Sequence, residues 1–266
     1  MEDLTCLETM MTLTISSAAV KDEKPVSLLI AAQPESGKTS VLMQFRQNKQ
    51  LSYLTDCTAY GLIKTIVPQI ENNKISHIVI PDLLKPLARS ESTVKNFVTF
   101  MNALIEEGIL DMSTYVVNES RNVAVRCGLI TAITRGELHD RRHQWHRMGF
   151  LSRCVPFSYS LSPATVQKIF ASIVKQEYRQ EQQIRLALPK RPKDIVLPES
   201  ISEQLALDTK VIAEAQDTYG FRLQKQFQTL LKASALLNKR TLVTEDDLKT
   251  VQDLLHWVNF DYHHAR

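Results

Sequence analysis

The sequence predicts an α/β fold in which a parallel sheet flanked by helices is followed by a smaller, all-helical region. Three observations predict it. Apolar runs suited to buried strands alternate with stretches of helical spacing through the first 160 residues, the pattern of a parallel sheet. One of these runs, residues 26–31, passes through a tight turn into a helical pattern beginning at Ser40. After the proline- and lysine-rich segment 189–198, only helical periodicity remains.

The turn after residues 26–31 reads Ala32, Gln33, Pro34, Glu35, Ser36, Gly37, Lys38, Thr39. Strand, glycine turn with lysine and threonine, then helix is the context of a phosphate-binding loop. Backbone N–H groups of such a turn point inward and cradle phosphate oxygens, and the helix start adds its positive dipole end. Lys38 is placed to reach the β- and γ-phosphates, and the Thr39 hydroxyl to ligate Mg²⁺. The nucleotide-binding stretch is therefore expected to run from Ala32 to Ser40. Ala32 stands where the usual pattern has its first glycine. Gly37 is one of only seven glycines in the 266 residues.

Composition narrows the class. Apolar residues make up 44% and charged residues 23%, ordinary for a globular protein. The net charge of +3 is too small to argue for nucleic acid by itself. No apolar run has the 18 or so residues that span a bilayer, so no membrane association is expected. The acidic start, Glu2 and Asp3, lacks the basic region of a secretory signal. Cys6, Cys57, Cys127 and Cys154 are far apart and form no C-x-x-C pair. Disulfides and structural zinc are not expected, and a reducing cytoplasm is the natural setting.

Taken in order, residues 3–20 carry Leu4, Leu7, Met10, Met11 and Leu13 at near-helical spacing. A short strand is expected over 51–56 and one helix over 58–70. Residues 77–82 form a second informative stretch, an apolar strand that ends in Asp82. An acid in that place holds the water shell of Mg²⁺ in phosphate-loop enzymes. One long helix is expected over 92–110, capped by Gly108. A hairpin or loop covers 111–122, with a strand at residues 114–117. A buried strand over 126–134 ends in Thr134.

Residues 135–153 hold the densest charge: Arg135, Arg141, Arg142, Arg147 and Arg153, with His139, His143 and His146. The arginines repel a metal ion from the histidines, so phosphate contact or a solvated basic face are the readings kept. Ser162 and Pro163 open a helix as cap and first residue, expected to run to about Leu186. Thr244 to Asp247 reads as a capping box ahead of a last helix.

A phosphate loop, a strand ending in Asp82, a strand tipped by Thr134, an arginine ahead of a following strand, and a helical C-terminal region resemble, in that order, an AAA+ ATPase module. The resemblance covers nearly the whole chain, with residues 1–160 as the α/β nucleotide-binding domain and 161–266 as the helical lid. It implies ATP and Mg²⁺ as cofactors, with Thr39 and Asp82 at the metal. It implies a sensor role for Thr134, where asparagine is commoner. Ser152-Arg153-Cys154 is similar to the motif of clamp-loader relatives whose arginine reaches a neighbouring subunit's γ-phosphate, which makes Arg153 the arginine-finger candidate. Gly220-Phe221-Arg222 is similar to the sensor pattern that opens a lid helix, which would bring Arg222 to the γ-phosphate in cis. The last helices resemble lids of the MCM and MoxR-type branch.

One departure bears on mechanism. The family's second acid, which polarises the attacking water, directly follows the first; here that place is Leu83. General acid–base help is worth about 10²–10⁴-fold, so tight ATP binding with slow turnover is expected unless Glu35 or Glu119 takes the task. The function expected is a nucleotide-dependent switch or motor that assembles as a homo-oligomer, ring or filament, and acts on DNA through residues 135–147 and 189–193. The alternative is an ATP-bound scaffold or chaperone-like adaptor that remodels a protein partner, which Leu83 and the modest net charge favour. A phosphotransferase fits the helical C-terminal third less well.

Overall fold

The computed structural model describes residues 2–113, 118–177 and 183–260. Seven strands lie among them: β1 (Leu28–Ala32), β2 (Leu51–Tyr53), β3 (His77–Ile80), β4 (Ile109–Ser113), β5 (Asn118–Val125), β6 (Gly128–Thr134) and β7 (Val155–Ser158). Five of them form one parallel sheet in the order β2-β3-β6-β1-β7. Strands β4 and β5 form a separate antiparallel hairpin. The strand expected at residues 114–117 lies outside the described residues.

Parallel strands buried on both faces read as continuous apolar runs, and β1 shows why. Leu28, Ile30 and Ala32 face one core, while Leu29 and Ala31 face the other, the period of two that a strand imposes. The first core is covered by α1 (Glu2–Ser16), which continues as a short 3-10 turn (Ser17–Ala19), and by α2 (Lys38–Gln44). The second is covered by α3 (Ala59–Thr65), α4 (Val67–Glu71), α5 (Leu84–Leu87), α6 (Glu91–Asn102) and α7 (Arg135–Arg147). Helix α8 (Pro163–Val174) follows β7. Helices α9 (Glu199–Ala215), α10 (Phe221–Leu237) and α11 (Glu245–Leu255) complete the first core. The C-terminal helices therefore share one hydrophobic interior with α1 and one face of the sheet.

Three expected helices are broken or cut short. The helix expected over 58–70 is two, because Pro68 supplies no N–H and forces a break at Ile66. The helix expected over 92–110 stops at Asn102 and widens into a π turn, Ala103–Glu107. Gly108 closes it at φ +83°, its N–H donating to the Ala103 carbonyl at 2.7 Å. The helix expected to reach Leu186 ends at Val174, and Gln176 follows at φ +59°. Residues 183–189 form neither helix nor strand. Ile184 N–H donates to the Gln44 carbonyl, and Asn48 grips both the Ile184 carbonyl and the Leu186 N–H, each at 2.8 Å.

The N-terminal end of the sheet is locked by a buried histidine. His77 pairs with Gly128 across β3 and β6. Its Nε2 lies 3.2 Å from the Val26 carbonyl and its Nδ1 3.1 Å from Ser76 Oγ. A carbonyl only accepts, so Nε2 carries a hydrogen. Burial holds its pKa down at about 4, against the pull of the Val26 and Thr14 carbonyls. A Cβ on Gly128 would sit 2.2 Å from His77 Cδ2 and 2.8 Å from the Val26 carbonyl, so only glycine fits.

Candidate phosphate-binding site

The C-terminal ends of β1, β6 and β3 bring three of the expected elements to one edge of the sheet. Strand β1 ends at Ala32, and the loop that follows turns through Glu35 at φ +59° and Gly37 at φ +86°. At Gly37 a Cβ would meet nothing closer than Leu4 Cδ2 at 3.7 Å. The glycine serves backbone conformation there, not space. Ser36 Oγ donates to the Gln33 carbonyl at 2.7 Å. From the end of β7, the buried Tyr159 hydroxyl donates to the Ser36 carbonyl at 3.0 Å. The first helical bond of α2 runs from Val41 N–H to the Gly37 carbonyl at 3.0 Å. The helix thus starts at Lys38, two residues ahead of the expected start at Ser40, and is only seven residues long.

Lys38 folds back over this loop. Its Nζ donates to the Ala32 carbonyl at 3.0 Å, to the Gln33 carbonyl at 2.5 Å and to Ser36 Oγ at 3.3 Å. Its pKa is lowered to about 8. Burial is the main cause; the Asp82 carboxylate opposes it, and the Arg135 guanidinium adds to it. Those two influences place an acid and a second cation within electrostatic reach of the ammonium group. Thr39 and Ser40 are exposed at the start of α2.

Thr134 ends β6 directly across from Ala32. Its Oγ1 accepts from the Glu137 N–H at 3.3 Å and so caps α7. Asp82 follows β3, the next strand over. It is exposed, and its Oδ1 accepts the Leu84 N–H at 3.0 Å. Strands lie about 4.8 Å apart, so two spacings put Asp82 about 10 Å from the β1 line, with Thr134 between. A Mg²⁺ ion keeps several of its waters and takes only one or two protein ligands beside substrate phosphates. The exposed Thr39 hydroxyl and the Asp82 carboxylate fit that donor set. Leu83 is buried, and its N–H donates to the Ala132 carbonyl at 3.0 Å. Its side chain is core, not a water-orienting group.

Arg153 and Arg222 are not brought to this edge. Arg153 precedes β7, whose Val155 pairs with Leu28 at the start of β1. From Arg153 to the level of Ala32 is six strand positions, about 20 Å. Arg153 donates to the Gly149 carbonyl at 2.8 Å and to Glu107 Oε1 at 2.6 Å. Arg222 donates to Ser152 Oγ at 3.1 Å and lies 3.9 Å from Glu106. The expectation that Arg222 meets a γ-phosphate in cis therefore does not match this arrangement, because its partners hold it at the opposite end of the sheet. Arg222 lines a cleft of about 1370 Å³ beside β7, whose wall also includes Arg135, Ser152, Tyr159, Phe221 and Trp257.

Of two further residues near the loop, sequence marked Arg135 only as part of the charged segment 135–153, and Tyr159 not at all. Arg135 is buried beside Thr134, whereas its neighbours in the charged segment lie on the surface or make local bonds. Its helical neighbourhood gave no sign of that difference. Tyr159 had no motif to mark it. Among the described residues no group of three His, Cys, Asp or Glu side chains could hold a metal ion, and His139, His143 and His146 form no such site. No described helix is long and apolar enough to cross a membrane. No family model matches the chain, and no curated protein matches it.

Proposed function

We propose that the chain is an AAA+-like module that binds a magnesium–nucleoside triphosphate, ATP by the resemblance of its motifs, and turns it over slowly. The observation that carries this reading is the convergence at one sheet edge. Lys38 curls within its loop, Thr134 is registered opposite Ala32, and Asp82 sits one strand further on. Loop amides and Lys38 would hold the phosphates. Thr39 and Asp82 would hold Mg²⁺, which supplies charge neutralisation for phosphoryl transfer. Leu83 supports slow hydrolysis, since a buried leucine neither accepts a proton nor orients water. Arg153 acts on a neighbouring copy only if its pair with Glu107 opens on assembly.

Assembly itself has some support in exposed apolar side chains: Phe170 and Val174 on α8, Leu207 and Val211 on α9, and the stacked pair Tyr219 and Phe221. Such patches mark contact surfaces more often than chance exposure. They suit a nucleotide-dependent oligomer, and equally the second reading, an adaptor that holds a protein partner.

Calorimetry with Mg²⁺ and ATP, GTP or ADP tests the central claim. The expected result is binding that Lys38→Ala weakens at least 100-fold, with turnover well below one per second. No uptake of any nucleotide, or a Lys38→Ala variant that binds as well as the native chain, would end the reading. Light scattering with and without nucleotide tests assembly.

A further inference from the structure

The irregular segment that replaces the end of the expected helix is a ridge of cations tied down at both ends. Ile184, Leu186 and Leu188 turn inward onto the first core. Arg185 lies on the alternate, outward side, followed by exposed Lys190, Arg191 and Lys193. The segment is tied at both ends. At one end it is bonded to Gln44 and Asn48; at the other, Lys193 N–H donates to the Ala19 carbonyl and Lys21 N–H to the Lys193 carbonyl, each at 2.8 Å. Beside the first anchor, Arg46 and Lys49 are exposed too. Arg185 donates to Gln47 Oε1, a neutral partner. The acids nearby are Glu8, which shares a groove with Ile184, Asp194, which ends the segment, and exposed Asp22, beside the Lys21 that is bonded to Lys193.

We propose that this ridge, with Arg46, Lys49, Arg185, Lys190, Arg191 and Lys193, is a binding surface for the phosphate backbone of duplex nucleic acid. Ten residue steps from 183 to 193 span at most about 33 Å, less for the bends at Lys190 and Arg191, so the ridge covers no more than about ten base pairs at 3.4 Å each. Phosphates recur along that length, and the two anchors hold the cation-bearing segment against the body of the chain. Residues 183–194 hold no aromatic side chain, so the ridge offers no stacking platform for single-stranded bases. Its apolar side chains face the core, so it offers nothing to insert into a lipid surface. With backbone contacts alone, binding is independent of base sequence and strongly dependent on salt.

The proposal goes beyond the phosphate-loop reading and does not need it. Fluorescence anisotropy with 30-base-pair duplexes of two unrelated sequences, titrated between 50 and 200 mM salt, tests it. The expected result is equal affinity for both sequences. The triple variant Lys190→Ala/Arg191→Ala/Lys193→Ala should bind at least tenfold more weakly, with the slope of log K against log salt reduced by about 3. Arg185→Ala alone should reduce the slope by about 1, which keeps the test alive if the triple variant folds poorly. Lys38→Ala should bind duplex as the native chain does, so failure of nucleotide binding and failure of this proposal are told apart. Unchanged affinity and slope in the triple and single variants would overturn it. So would no binding at 50 mM salt, or a preference at matched salt for phosphatidylserine vesicles or polyglutamate over duplex.

Discussion

The two ends of the central sheet are built on opposite plans. At the N-terminal ends of the strands the charges are matched. Lys24 meets Glu106 at 2.5 Å, Arg153 meets Glu107 at 2.6 Å, and Lys232 is bonded to Glu23. His77 is neutral and bonded through both ring nitrogens, with Gly128 cut to fit it. At the C-terminal ends the backbone turns through positive φ at Glu35 and Gly37, and Thr39, Ser40 and Asp82 face solvent. Lys38 bonds only to its own loop, and burial makes its charge costly. One end is built to hold the strands in register. The other commits its polar groups only to local bonds within their own turns, and leaves Thr39, Ser40 and Asp82 exposed.

The contrast can be broken from the rigid end first. Gly128→Ala drives a Cβ into the His77 ring and the Val26 carbonyl. Overpacking of this kind costs about 1–3 kcal/mol, or more where backbone is the obstacle. A thermal melt should fall by several degrees; a native Tm would mean that the sheet end yields more easily than its geometry implies.

Acid should strike the same place. The folded pKa of His77 is depressed from 6.5 to about 4, so the unfolded chain binds more protons between those values. The stability contribution is present above pH 6.5 and is lost as pH falls toward 4. Its ceiling is on the order of 3 kcal/mol. Denaturant melts at pH 7 and 5 should show this loss, and His77→Gln should flatten the pH dependence.

At the open end the matching effect is on ligand affinity. Lys38 is depressed to about 8 in the free chain, and a bound polyphosphate favours its charged form. Binding therefore takes up a proton at pH values near and above 8. Affinity for the magnesium–nucleotide should weaken, up to about tenfold per unit, as pH rises through 8. Calorimetry in two buffers of different ionisation enthalpy would detect the proton; equal apparent enthalpies would detach Lys38 from the phosphates.

The smallest effect belongs to Glu107→Gln. It removes an ion pair whose acid is more than half exposed, and such pairs are worth about 0–1 kcal/mol. Stability should scarcely change, and nucleotide binding by the isolated chain not at all. A change in the latter would tie the two ends of the sheet together.

What could be read in advance follows the range of the interactions. The turn from β1 into α2 was legible because strand, turn and helix start are adjacent in sequence and each has a local signature. Strand existence was legible for the same reason. The order of the strands was not, and it is the order that sets Thr134 between Ala32 and Asp82. Residues 183–189 show the limit most clearly. Ile184, Leu186 and Leu188 alternate as a strand does, yet they continue a run of helix-forming residues. Their conformation is settled by Gln44 and Asn48, more than 130 positions away in sequence. The placement of Arg222 was out of reach for a related reason. A three-residue pattern says nothing about which end of a sheet a helix will meet, and Ser152 and Glu106 decided that.

The cap that Thr134 places on α7 has a mechanical consequence. A hydroxyl has one hydrogen and two lone pairs. Accepting the Glu137 N–H uses a lone pair and leaves the hydrogen to point elsewhere. A phosphate oxygen that engaged that hydrogen would pull on the same atom that fixes the first turn of α7. The helix runs from there to Trp145, wedged edge-on against Phe150 in the second core. Filling the loop beside β1 and tilting a helix on the far face of the sheet are then two displacements of a single oxygen.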